Sequence, residues 1–403
     1  MPATPVSSAA ASKVAVYASV GPDLHHFEVD VGHCSLHRTG NVTGMPDNIQ
    51  YAWPDAAGAH LYVVSSNVSK YVKPALSSHH LAALRIHPDS GALEPHGAPL
   101  PLPGRPVHVT LDASGKHAIV VYPSPARATA HRIRDDGQFG DDVAQPDNLD
   151  AGFFPHQVRV TPSGRSVIIV TRGNNAANGK PEDPGALKVF SYRDGVLGKR
   201  ASIAPNGGYG FGPRHIDFDP SGRWLFAALE RQNTLQVYAL ADDSISPAPL
   251  FERETLADPE NSMGHQQMLG TVHVHPNGRF VYVANRCSAT VEFEGRKVSA
   301  GGENSISVYA VNQQTGEPTL IQHADLHCIH ARTFCIDPSG AMLVAASISA
   351  MSVRDGAGIT TIPARLTTYR IGADGKLGLA NQYAMETGPD RRMFWMGMVT
   401  LPR

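Results

Sequence analysis

Four residues of this chain have the types and the placement for proton transfer and anion binding: His156, Arg214, Glu230 and Arg286. An imidazole or a carboxylate can carry a proton, and a guanidinium holds a carboxylate or phosphate through two parallel N–H donors. The four are far apart in sequence but occupy matched places. His156 and Arg214 stand at the start of alternating apolar stretches, Pro155-His-Gln-Val-Arg-Val160 and Pro213-Arg-His-Ile216. Glu230 and Arg286 end the stretches Ala227-Ala-Leu-Glu230 and Val283-Ala-Asn-Arg286. In an antiparallel hairpin the start of the first strand lies beside the end of the second, so all four are expected on one face.

The elements that position them are set by a phrase written six times. It reads Asp55-Ala-Ala-Gly58, Asp112-Ala-Ser-Gly115, Thr161-Pro-Ser-Gly164, Asp219-Pro-Ser-Gly222, His275-Pro-Asn-Gly278 and Asp337-Pro-Ser-Gly340, with glycines 57, 49, 58, 56 and 62 residues apart. Each copy is a turn: proline presets φ, the leading Asp bonds its own backbone, and glycine supplies positive φ. A strand enters the turn, a second leaves it, and a third follows a polar break, as in Leu81-Ala-Ala-Leu-Arg85, Leu235-Gln-Val-Tyr-Ala239, Ser305-Ile-Ser-Val-Tyr309 and Leu366-Thr-Thr-Tyr-Arg370. Repeats of this length with four strands each predict an all-β propeller. Strands at Val14-Ala-Val-Tyr-Ala18 and His25-His-Phe-Glu-Val29 have no turn phrase before them, and Met393-Phe-Trp-Met-Gly-Met-Val399 has no partner after it. Unpaired strands are unstable edges, so the two ends are expected to share a seventh blade and close the ring.

Composition fits one large domain over residues 13–403, after a Pro/Ala/Ser-rich tail at 1–12 expected to be disordered. The chain holds 38 Gly and 31 Pro with 42% apolar residues, a turn-rich all-β balance with an ample core. A net charge of -2 gives no basic footprint, which argues against nucleic acid and membrane surfaces as partners. The first twelve residues lack the basic start and apolar run of a signal peptide, and a cytoplasmic location is expected. Cys34, Cys287, Cys328 and Cys335 show no paired spacing and are expected to be buried free thiols. Nothing in the pattern speaks to oligomeric state.

The chain resembles the seven-bladed propeller lactonases, a family that includes bacterial 6-phosphogluconolactonase and fungal 3-carboxy-cis,cis-muconate lactonizing enzyme. The resemblance rests on Gly212-Pro-Arg-His-Ile-Asp-Phe-Asp-Pro-Ser-Gly222 with Glu230, on the segment from His273 to Arg286, on His156 before Thr161-Pro-Ser-Gly164, and on the closing strand. It implies that His156, Arg214, Glu230 and Arg286 are the active-site residues of an enzyme that uses no metal or other cofactor. Lactone hydrolysis needs a base for water, a donor for the tetrahedral oxyanion and an acid for the departing alkoxide. Glu230 or His156 is then the proton-transfer group, and Arg214 and Arg286 clamp the anion and stabilise the oxyanion. Arg172 ends the second strand of the His156 repeat, where the resemblance implies an acidic residue. That departure points to a more anionic substrate.

His215, beside Arg214, and His108 and His330, read as strand-start equivalents of His156, are further candidates for lining the substrate funnel. The other histidines do not make a metal site on spacing: His273 and His275 share one strand face, His275 occupies a turn position that is Asp in sibling repeats, and His323, His327 and His330 fall in one loop. Asn206-Gly-Gly-Tyr-Gly-Phe-Gly212 leads into a strand rather than a helix, so it is a rim loop whose Tyr209 or Phe211 could cover the pocket, not a phosphate loop. The polar stretch 173–184 reads as an insertion at the same rim. The expected function is a metal-independent lactonase acting on an anionic sugar-acid or catabolic lactone. The alternatives are a muconate-type cyclase running ring closure on the same residues, and a propeller that binds a protein without catalysis.

Overall fold

The computed structural model describes residues 13–69 and 73–402. The expected tail at 1–12 lies outside them. Seven four-stranded antiparallel units are arranged around a central channel. Their innermost strands are Ile49–Pro54, His108–Leu111, Pro155–Val160, Pro213–Phe218, Gln267–Val274 and Ala331–Ile336 for blades one to six, and Met396–Thr400 for the seventh. Successive innermost strands touch along the ring. The seventh blade is closed as the unpaired ends required: the C-terminal strand pairs antiparallel with Val14–Val20, from Val14 opposite Thr400 to Ala18 opposite Met396.

Burial follows from this packing. The second strand of each blade lies between the faces of both neighbours, so Ser166–Thr171, Phe280–Cys287 and Met342–Ser347 are buried along their whole length. These strands carry Val, Ile, Ala and aromatic residues on both faces rather than alternating with polar ones, as a doubly covered strand demands. Apolar clusters therefore sit between blades. One holds Ile168, Val170 and Leu187 of blade three against Ile216, Leu225 and Tyr238 of blade four. Buried tyrosines staple neighbours: Tyr17, Tyr62 and Tyr282 donate to the carbonyls of Gly91, Gly137 and Gly375 at 2.6, 3.0 and 2.8 Å. Each hydroxyl is thereby satisfied inside the core.

The turn phrases behave as written. Asp219 accepts from the backbone N–H of Ser221 at 3.0 Å and of Trp224 at 2.6 Å, while Gly222 takes φ of 71°. Two hairpins interrupt the repeat before the third strands of blades five and six, Thr290–Phe293 with Arg296–Ser299 and Met351–Asp355 with Gly358–Ile362. The four cysteines are free thiols, three buried and Cys335 half-buried. No helix among the described residues is long and apolar enough to cross a membrane.

Candidate active site

The strand starts that carry the site are bulged. Pro155 pairs with Thr171 and Gln157 with Val170, which leaves His156 without a partner across the hairpin. Pro213 pairs with Leu229 and His215 with Ala228, leaving Arg214 in the same state. Ala331 pairs with Ser347 and Thr333 with Ala346, leaving Arg332. A bulge inserts one residue and turns its side chain off the sheet's alternation. Here it does so eight residues before the turn glycines Gly164, Gly222 and Gly340. Proline precedes His156 and Arg214, where its missing N–H removes a ladder donor at the strand's first residue.

Eight residues after the turn glycines stand Arg172, Glu230 and Arg286. Glu230 is fixed through its backbone: its N–H donates to Gly212 O at 2.8 Å, and its carbonyl accepts from Leu269 N of blade five at 3.2 Å. Its carboxylate is the hub of the site. Arg172 Nη1 donates to Oε2 at 2.7 Å, Arg214 Nε lies 3.2 Å from Oε1, and Arg286 Nη2 donates to the same Oε1. Arg286 is held further by Nε to Leu269 O at 3.1 Å and by Nη1 to His330 Nε2 at 2.7 Å, which requires that His330 nitrogen to be the acceptor. Arg172 lies over the Phe154 ring at 4.2 Å. The rings of His156 and His215 are 5.3 Å apart, and His215 is 6.1 Å from His108.

All of this is dry. Arg214 is 1% exposed, and His156, His215, Glu230 and Arg286 are buried beside it. Burial pushes Glu230 up, but the guanidiniums of Arg172, Arg286 and Arg214 outweigh burial and hold it well below the usual carboxylate range. Burial, then the charge of Arg214, pushes both His156 and His215 well below the ordinary histidine value. Both imidazoles are therefore neutral at physiological pH. Arg332 is near enough for its charge to act on Arg214, His156 and His215. Three guanidiniums thus meet one carboxylate, and a fourth lies near enough to act on the groups around it. Arg214 Nη1 and His156 Nδ1 are buried with no hydrogen-bond partner among the described residues.

Residues 13–354 match the family described as lactonase, seven-bladed β-propeller. The chain belongs to the seven-bladed β-propeller lactonase family. Curated relatives named 6-phosphogluconolactonase include one from Bacillus subtilis, 27% identical over 271 residues, covering 66% of this chain and 70% of that protein. Another, from Yersinia pestis, is 25% identical over 347 residues, covering 77% and 94%. Among solved structures, the periplasmic gluconolactonase of Pseudomonas aeruginosa superposes with a TM-score of 0.73 at 17% identity over 97% of this chain and 100% of that one. A protein from Lactobacillus plantarum gives 0.69 at 19% identity over 96% and 100%. These structural likenesses concern the fold.

In this lactonase-family enzyme the four residues singled out by type and spacing come together with Arg172 and His215 in one buried cluster on the face away from the turns. His330 joins it through Arg286. The strand-start reading of His108 and His330 is corrected: by distance from the turn glycine the equivalents of His156 are Val107 and Arg332. His108 falls one residue later and is fully buried against Tyr51, ring centroids 3.9 Å apart, with both nitrogens unpartnered among the described residues. Arg332 was missed, although counting eight residues back from Gly340 finds it. Phe211 does not cover the pocket, because it is buried in the cluster between blades three and four. Tyr209 is exposed at the rim. His275 is a turn residue, with Nε2 against Gly340 O at 2.8 Å and Nδ1 accepting from Asn277 N at 3.1 Å. His323 and His327 face a groove between blades five and six, apart from His330.

Proposed function

We propose that this enzyme hydrolyses the lactone of an anionic sugar acid, with 6-phosphoglucono-δ-lactone the first substrate to test. The observation that carries the reading is the charge of the site: three guanidiniums meet the carboxylate of Glu230, and the charge of a fourth, Arg332, acts on Arg214 beside it. A buried excess of positive charge is costly on its own and is relieved by an incoming anion. Arg172 is the arginine of the Glu230 cluster that reaches solvent, so the substrate's phosphate or carboxylate meets it first. The names of the curated relatives agree with this substrate class.

His156, neutral and with Nδ1 uncommitted, is the base that takes a proton from water as its oxygen attacks the lactone carbonyl. Arg214 Nη1 donates to the oxyanion that forms. When the intermediate collapses and the ring C–O bond breaks, the proton held on His156 passes to the departing alkoxide. The products are the hydroxy acid and the resting imidazole. Glu230, pinned by three arginines and held ionised, is a positioning residue that fixes where those guanidiniums point. This set of roles uses side chains alone.

Ring closure of a muconate asks for an acid strong enough to protonate a carbanion. With Glu230 ionised and the imidazoles of His156 and His215 driven neutral, the site favours hydrolysis. The test is proton release from 6-phosphoglucono-δ-lactone and glucono-δ-lactone by wild type and by Arg214→Ala. The expected result is turnover well above spontaneous hydrolysis, faster with the phosphorylated lactone, and lost in the variant. Rates equal to spontaneous hydrolysis with both lactones would overturn the proposal.

A further inference from the structure

A second set of residues stands five before each turn glycine, Trp53, Thr110, Arg159, Asp217, His273 and Cys335, of which Trp53, His273 and Cys335 line a cavity at the turn side. The set lies three residues nearer the turns than the bulged ring, and it has its own chemistry. Arg159 stands over the Trp53 ring at 5.3 Å and donates through Nη2 to Asp217 Oδ1 at 3.1 Å. Asp217 Oδ2 accepts from Val274 N at 3.0 Å and from His273 Nδ1 at 3.3 Å. Asp217 is therefore fully engaged, and its carboxylate fixes the tautomer of His273 with Nε2 as a free acceptor. The His273 side chain is 33% exposed, so the ring is open to a ligand from the channel. Beside it, Thr333 is 5% exposed and its hydroxyl is buried without a hydrogen-bond partner among the described residues.

His273 and Thr333 line a cavity of about 840 Å³ that opens on the turn face, with Trp53, Trp395 and Phe334 also in its wall. Its volume is that of a small-molecule site, and its make-up is that of one: aromatic walls with a few directed polar groups. Between it and the hydrolytic cluster stands Tyr51, which lines the cavity, meets His215 edge-on at 6.4 Å, lies tilted against His108 at 3.9 Å and meets Trp395 edge-on at 6.5 Å.

We propose that this turn-side mouth of the channel is a second binding site, for a neutral, hydroxyl-bearing sugar ring. The charges select neutrality. Arg159 is compensated by Asp217 inside the channel, and at the rim Asp55, Asp112 and Asp135 outnumber Lys116 and Arg134. Among the described residues that line the cavity, the only Lys or Arg side chains are thus Lys116 and Arg134 of this slightly acidic rim, the reverse of the opposite face. The aromatic rings offer flat apolar faces to the C–H side of a sugar ring. Its hydroxyls can donate to His273 Nε2 and exchange hydrogen bonds with the Thr333 hydroxyl, satisfying that buried, otherwise unpartnered group.

The probe is methyl β-D-glucopyranoside, titrated calorimetrically into the full-length protein. Saturable binding is expected in wild type and in Arg214→Ala alike, weakened roughly tenfold by Thr333→Val, which keeps the side chain's shape and removes one hydrogen-bonding group. Since Trp53 and Trp395 are two of only three tryptophans, binding is also expected to shift the intrinsic fluorescence. Binding should persist when 6-phosphogluconate is present in excess. No saturable heat, or binding that Arg214→Ala or 6-phosphogluconate removes while Thr333→Val leaves it intact, would overturn the proposal. Neither result depends on whether the opposite face hydrolyses lactones.

Discussion

Arg172 of blade three donates to Glu230 of blade four across 2.7 Å, joining the ends of two second strands fifty-eight residues apart. Both side chains leave their blades eight residues beyond a turn glycine, so the contact follows from the repeat rather than from any local motif. It fixes the carboxylate on one side, while Arg214 and Arg286 approach the other oxygen.

Removing that carboxylate's charge takes the shared anion away from the buried guanidiniums of Arg214 and Arg286 and from half-buried Arg172. Glu230→Gln is expected to lower stability by about 3 to 5 kcal/mol, the usual cost of breaking a buried ion pair from one side. Thermal unfolding checks this, and added inorganic phosphate should restore more of the loss in the variant than it adds to wild type. Equal melting temperatures for the two proteins would refute the hub role.

Arg172→Met keeps an apolar stem over Phe154 and deletes the charge. A charged hydrogen bond is worth about 1.5 to 3 kcal/mol, so KM for the phosphorylated lactone should rise roughly ten- to a hundredfold, with little change for the unphosphorylated one. Steady-state kinetics on the pair decides it. An equal rise for both lactones would place Arg172 elsewhere in the reaction.

If His156 moves the proton, His156→Gln should lower kcat by roughly 10² to 10⁴ while leaving KM nearly unchanged. A variant that loses only binding would transfer the base role away from His156.

The histidines also set a pH dependence. His108, His156 and His215 have folded values pushed well below 6.5 by burial first and by arginine charge second. A depressed folded value means that stability is fully present above the unfolded value and is lost as pH falls, because the unfolded chain takes up protons that the native one refuses. The melting temperature should therefore be flat above neutrality and drop as pH passes below 6.5. The acid limb of kcat should likewise lie below the ordinary histidine range. A melting temperature indifferent to pH across this window would contradict the burial of neutral imidazoles.

Much of the architecture was legible because the turn phrase is chemically unambiguous: Asp or Thr, Pro, Ser and Gly each do one job in one turn. The glycines then act as a ruler, and His156, Arg214, Glu230 and Arg286 lie at plus or minus eight on it. Arg332 lay on the same ruler but carries no neighbouring phrase like Pro-Arg-His, and it was missed. The bulges were not legible, since Pro155-His-Gln-Val158 reads as plain alternation and only pairing across the hairpin shows which residue is extra. The depressed Glu230 could not be read either. Its state depends on arginines from three blades, so from sequence it stood level with His156 as a proton carrier. The chain Trp53–Arg159–Asp217–His273 was hidden for the same reason.

The pairing of Val14 with Thr400 carries a consequence for synthesis. The innermost strand of the seventh blade is made after all of blades one to six, while its three partners are made before them. A nascent chain can stack blades one to six on the ribosome, yet the channel has a missing wall until residues 396–400 emerge from the exit tunnel. A message cut short before residue 396 is then expected to yield a stack of blades with an open seam rather than a closed ring.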